Sequence, residues 1–72
     1  MNANAFEFVP YIVEAAHTAG WQEATGLIEI DDDGDDLAAF LVNIYYMWNH
    51  GEKTVSFTEF STNEILKRYG KH

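Results

Sequence analysis

Between Asp35 and His50 the chain reads DDLAAFLVNIYYMWNH, and its apolar positions recur at helical spacing. Leu37, Leu41, Ile44 and Trp48 stand at i, i+4, i+7 and i+11, flanked by Phe40 and Met47, which predicts a helix over 35–50 with one buried stripe. The opposite face holds Ala39, Val42, Asn43, Tyr46, Asn49 and His50, and it is more apolar than contact with water alone requires. The preceding Asp31, Asp32 and Asp33 offer side-chain oxygens to the free N–H groups of the first turn. Asp35 and Asp36 also lie at the positive end of the helix dipole. Gly51, just past the last periodic residue, is expected to close the helix in a left-handed conformation.

The remaining segments are shorter. Asn4 to Ala19 reads as a helix with Phe8, Val9, Ile12, Ala15, Ala16 and Ala19 on one side. Asn4 and Glu7 have capping-box spacing. Pro10 implies either a kink or a start near Val9. Gly20 is expected to end this helix, with Trp21 folding back onto its last turn. LIEI at 27–30, bounded by Gly26 and the aspartates, carries a strand signal, and KTVSFTEF at 53–60 alternates in the same manner. For the second of these a helical turn competes, because Ser56 and Glu59 also have capping-box spacing. A capping box at Ser61 and Glu64 opens a last helix in which Ile65, Leu66 and Tyr69 pack and which Gly70 ends. The expected architecture is a small single α+β domain over 1–72, ordered helix, strand, helix, strand, helix around the central helix 35–50. An all-α bundle is the alternative.

Composition narrows the setting. With 72 residues and no cysteine, disulfides and cysteine metal sites are ruled out, and a staple-free chain fits the cytoplasm. No apolar run is long enough to span a bilayer, and MNANAFEF lacks the basic region of a secretory signal. Twelve Asp and Glu oppose four Lys and Arg, for a net charge of −8, and no Lys or Arg precedes Lys53. The chain thus has an acidic body and, in Lys53, Lys67, Arg68 and Lys71, a small cationic end. Such a field disfavours nucleic acid and anionic membranes as direct partners and favours basic protein surfaces.

Catalytic and metal-binding patterns were tested against the residues they need. EIDDDGDD places Gly34 at the sharp-turn position of a calcium loop counted from Glu29. Phe40 then falls where the bidentate acid belongs, so calcium binding is retained only as a divergent alternative. Glu14 and His17 make one E-x-x-H pair, half of what a dimetal bundle uses, and no second copy exists. There is no nucleophile elbow and no glycine-rich phosphate loop, so neither an enzyme nor a cofactor is expected.

Recognition remains. The set expected to bind a partner is Glu29, Asp31, Asp32, Asp33, Asp35 and Asp36, together with Tyr46, Asn49 and His50. Tyr11 and Tyr45 are further candidates for exposed aromatic anchors. Trp48, Phe40 and Phe57 are assigned to the core. In size and charge the chain resembles phage-encoded inhibitors of host defence, including anti-CRISPR and anti-restriction proteins. That resemblance implies an inhibitor whose carboxylates stand in for phosphates on a basic, normally nucleic-acid-binding site. A structural or assembly homodimer, paired through Val42 and Tyr46 of the central helix, is the alternative.

Overall fold

The computed structural model describes residues 4–71, with side chains from Phe8 onward, so the side-chain bonds expected of the Asn4–Glu7 capping pair lie outside what is described. The described residues form three helices, α1 (Asn4–Ala24), α2 (Gly34–His50) and α3 (Phe57–Tyr69), each packed against the other two. The expected α+β architecture is therefore corrected to a small helical bundle, the all-α alternative. Neither expected strand forms. Around LIEI there is a single antiparallel bridge, Ile28 with Gly70, closed by Glu29 N–H to Tyr69 O at 3.0 Å and Lys71 N–H to Leu27 O at 3.4 Å. A strand needs a neighbour along its length, and here only the residues after α3 are available to pair.

KTVSFTEF divides at Ser56. Its hydroxyl accepts the Glu59 N–H at 3.1 Å, so the N-cap that opens α3 is Ser56, not Ser61. Phe57, Ser61, Ile65 and Tyr69 then repeat every fourth residue, and all four are buried. The apparent period of two at Val55 and Phe57 spans too few residues to compete with that stripe. Ser61 turns inward and donates to Thr58 O at 3.2 Å.

α1 runs through both of its expected interruptions. It starts at Asn4, contains Pro10, and passes Gly20 without ending. The reason lies in its buried positions, Ala15, Ala19 and Gln22, whose spacing continues beyond Gly20. Val9 and Ala16, expected to share that face, are exposed, and Trp21 projects outward at 63 % exposure instead of folding back. The helix ends at Ala24, and Gly26 beyond it turns the chain with a left-handed φ of +83°. There Leu27 N–H reaches Gln22 O at 2.9 Å and Gly26 N–H reaches Glu23 O at 3.1 Å, the paired bonds of a Schellman motif.

α2 follows the sequence reading closely. Asp33 is its N-cap, and Leu41, Ile44 and Tyr45 are buried along it. Met47, expected beside the stripe, is half exposed. Gly51 closes the helix in extended backbone, φ −87° and ψ −167°, and the left-handed residue of this turn is Lys53, φ +54°. The core joins Ala15 and Ala19 of α1, Ile28, Leu41 and Ile44 of α2, and Ile65 of α3. At one end it becomes an aromatic cluster. Tyr11 lies 5.3 Å from Tyr45, 5.6 Å from Trp48 and 5.4 Å from Phe57, measured between ring centroids, and Phe8 lies 6.2 Å from Tyr45. Trp48 also donates its indole N–H to Val55 O at 2.9 Å, which fastens the α2–α3 turn.

Gly70 is required by close approach. A Cβ there would lie 2.3 Å from Leu66 O, in the residue that also carries the bridge to Ile28. Gly70→Ala should therefore lower stability in urea unfolding by about 1–3 kcal/mol, as overpacking does. Gly34→Ala, where nothing lies within 4 Å, should change it by less than about 0.5 kcal/mol. Equal effects at the two positions would show that the end of α3 yields freely.

Candidate interaction surface

The acidic turn between α1 and α2 is built by two carboxylates that are already engaged. Asp33 Oδ1 accepts the Asp36 N–H at 2.8 Å and fixes the first turn of α2. Asp32 Oδ2 accepts from Arg68 Nη2 at 2.9 Å, from Arg68 Nε at 3.3 Å and from the Tyr69 hydroxyl at 2.8 Å. The guanidinium carbon in turn sits 4.9 Å from the centroid of the Phe40 ring and 5.3 Å from that of Tyr69, whose rings meet edge to face. One carboxylate thus ties the α1–α2 connection to the last turn of α3 and lays Arg68 across two aromatic rings.

The electrostatics follow from these contacts. The Tyr69 hydroxyl, and then the Arg68 guanidinium, hold the Asp32 carboxyl below the usual carboxylate range. Burial, and then the hydrogen bond to Asp32, pushes the Tyr69 hydroxyl above the usual phenol range. Arg68 spends its charge on Asp32, and Lys67 pairs with Glu64 at 3.0 Å. Glu29, Asp31, Asp35 and Asp36 remain around the turn, exposed, their carboxylates without a hydrogen bond or ion pair among the described residues. The six acids therefore divide into two that hold the turn and four that face solvent.

Tyr46, Asn49 and His50 lie elsewhere. Tyr46 is half exposed and stacks on His50, ring centroids 6.2 Å apart and planes 19° from parallel, while Asn49 is half-buried. At 1.5 Å rise per residue, Tyr46 stands about 20 Å along α2 from Asp33, so the expected partner-binding set forms two patches. Tyr45 is buried, and Tyr11 is packed against the core, which removes both as exposed anchors. Phe57 is buried as expected with the Trp48 ring 5.4 Å away, and Phe40 is partly buried against the core, edge to face with Tyr69.

The metal patterns find other uses. The Glu14 carboxylate accepts the Thr58 hydroxyl of α3. In the candidate calcium loop, Gly34 already belongs to α2 and the Asp32 and Asp33 carboxylates serve Arg68, Tyr69 and Asp36. Among the described residues no group of three or more His, Asp or Glu converges on a metal position. No described helix is long and apolar enough to cross a membrane. Compared with known proteins, the chain matches no family model, no curated protein and no solved structure.

Sequence reasoning missed the Asp32–Arg68–Tyr69 contact. Its only signal was the placement of most of the cations near the C-terminus, which does not say which acid they meet.

The lowered Asp32 pKa fixes a sign. A carboxyl held lower in the folded state stabilises above its unfolded value, about 3.9, and loses that contribution as pH falls through its folded value. Asp32→Asn should therefore melt below the parent at neutral pH, and the gap should close in the acid range below about pH 4. For Tyr69, whose folded value is raised, the stabilisation is present below about pH 10 and is lost above it, so Tyr69→Phe should flatten the alkaline limb. Melting temperature against pH for the two variants tests both. An Asp32→Asn gap that does not change with pH would deny the contact its charge.

Proposed function

We propose that this protein is a small acidic inhibitor or adaptor that occupies a basic site on another protein, one that ordinarily holds nucleic acid. The observation that supports this reading is the division of the acidic turn. Asp33 caps α2 and Asp32 is held by Arg68 and Tyr69, while Glu29, Asp31, Asp35 and Asp36 project, without side-chain partners among the described residues, from a backbone those two contacts constrain. Carboxylates at fixed positions can pair with Arg and Lys as phosphates do, with less ordering cost than carboxylates on a loose chain. The net charge of −8 adds long-range attraction for a basic partner and repels nucleic acid itself. In this reading the mechanism is competition, and the protein performs no chemistry.

The competing explanation of the charge is solubility alone, and it predicts a different response to neutralisation. Capture from lysate at low salt, repeated after nuclease treatment, supplies the partner. Glu29→Gln, Asp31→Asn, Asp35→Asn and Asp36→Asn are then combined, leaving Asp32 and Asp33 to hold the fold. The combined variant should bind the captured protein at least about tenfold more weakly, with a flatter dependence of affinity on salt. It should also fail to displace nucleic acid from that protein. Unchanged affinity in a variant with an unchanged melting profile would leave solubility as the role of these acids.

A further inference from the structure

The outer face of α1 carries a feature that the acidic turn does not explain. Val9, Val13, Ala16, Gly20 and Ala24 fall within about 80° of the helical wheel, with Pro10, His17 and Trp21 beside them. All eight are exposed, Val9 at 47 %, Val13 at 48 % and Trp21 at 63 %, and none is Asp, Glu, Lys or Arg. Glu14 and Glu23 border the face on its two sides, and both carboxylates are engaged within the chain, by the Thr58 hydroxyl and by the Ile30 N–H. In a molecule with twelve acids this helix offers a long contact face without like charges.

Gly20 is the sharpest part of the pattern. It lies inside α1, where glycine costs about 1 kcal/mol relative to alanine. Nothing among the described residues requires it, since a Cβ there would meet none of their atoms within 4 Å. A second helix approaching the backbone would give that glycine a purpose.

From these observations we infer that α1 is a self-association face on which two copies of the chain pair through antiparallel α1 helices. A two-fold axis between Ala16 and His17 sets Val9 opposite the partner's Ala24 and Val13 opposite the partner's Gly20. Large residues of one half then meet small residues of the other, as a self-complementary contact requires. Charge selects the same orientation. Each α1 leads at its C-terminal end into the acidic turn, and an antiparallel pair about this axis holds the two C-terminal ends about 22 Å apart along the helices, beyond the physiological screening length of about 8 Å. A parallel pair would set them side by side. The outer face of α2 is also uncharged over Ala38–His50, but it carries Asn43 and begins beside the exposed Asp35 and Asp36.

Val9 to Ala24 spans about 22 Å of a helix about 10 Å wide, a smaller footprint than the roughly 800 Å² per partner of a standard interface. The dimer is accordingly reversible and concentration-dependent. It does not depend on the proposed basic partner, because it uses a different face.

Sedimentation equilibrium of the full chain from about 10 µM to about 1 mM reads the association directly, across the range where weak dimers dissociate. Monomer–dimer behaviour is expected. Gly20→Leu and Val13→Glu should each weaken it at least about tenfold, the first by steric clash and the second by like charge. The Gly20→Leu monomer should melt no lower than the parent, which separates lost pairing from lost folding. Because the chain has no cysteine, single substitutions report the orientation. Ala16→Cys, near the axis, should cross-link on oxidation, while Val9→Cys should not. A monomer throughout the range, or a dimer abolished by Tyr46→Glu but not by Gly20→Leu, would overturn the inference. Efficient cross-linking of Val9→Cys would overturn the antiparallel arrangement.

Discussion

The ion pair between Asp32 and Arg68 is the contact on which the acidic end of this molecule depends. It joins the α1–α2 connection to α3 across 36 residues of sequence, and the Tyr69 hydroxyl donates to the same carboxylate oxygen. Arg68 is suited to this place. Its planar guanidinium bonds the carboxylate at its edge while its face lies over Phe40 and Tyr69, which lysine could not reproduce. Beside it the Ile28–Gly70 bridge fastens the same two segments through their backbones. The N-cap of α2 is therefore held from both sides, by Asp33 within the helix and by Asp32 against α3.

The opposite end is held by different physics. Phe8, Tyr11, Tyr45, Trp48 and Phe57 join the beginning of α1, the end of α2 and the start of α3 by ring contacts, and Lys53 lays its ammonium over the Trp48 ring, 5.1 Å from the centroid. Large rings give a chain of 72 residues without disulfides much apolar burial per residue. This use of the aromatics explains why most of them are not available to a partner. It also lets the other end specialise, so that carboxylates not needed for folding stay in solvent. The outer face of α1 is the third region, apolar and without charge, and it is separate from both.

Legibility in the sequence followed the range of the determining contact. The α2 helix was readable because its cap, its dipole complement and its stripe all lie within seventeen residues, and Asp33 was among the caps expected. Gly20 has the look of a stop for α1, whereas burial of Ala15, Ala19 and Gln22 carries the helix past it to Ala24, before the left-handed Gly26. LIEI has the local composition of a strand, but strand formation depends on a neighbour along its length, and among the described residues only Gly70 and its flanks pair with it. For α3 both Ser56 and Ser61 had capping spacing, and the four-residue recurrence of Phe57, Ser61, Ile65 and Tyr69 decides between them. The acidic turn was legible as a surface, but its division into holding and displayed carboxylates was not, because Arg68 lies too far along the chain. Tyr45 and Tyr46 show the same limit. Adjacent and alike in sequence, they point about 100° apart around α2 with their rings still 5.9 Å from each other, and only the packing of Tyr45 against Tyr11 and Phe57 tells which is buried.

The central claim is that the displayed acids of the turn, rather than the aromatic end or the α1 face, meet the basic partner. Backbone amide shift mapping of the isotopically labelled chain, titrated with the captured protein, tests it most directly. The account predicts perturbations centred on Glu29, Asp31, Asp35 and Asp36 that shrink as salt is raised. Perturbations centred on Tyr46 to His50, or on Val9 to Ala24, and insensitive to salt would contradict it.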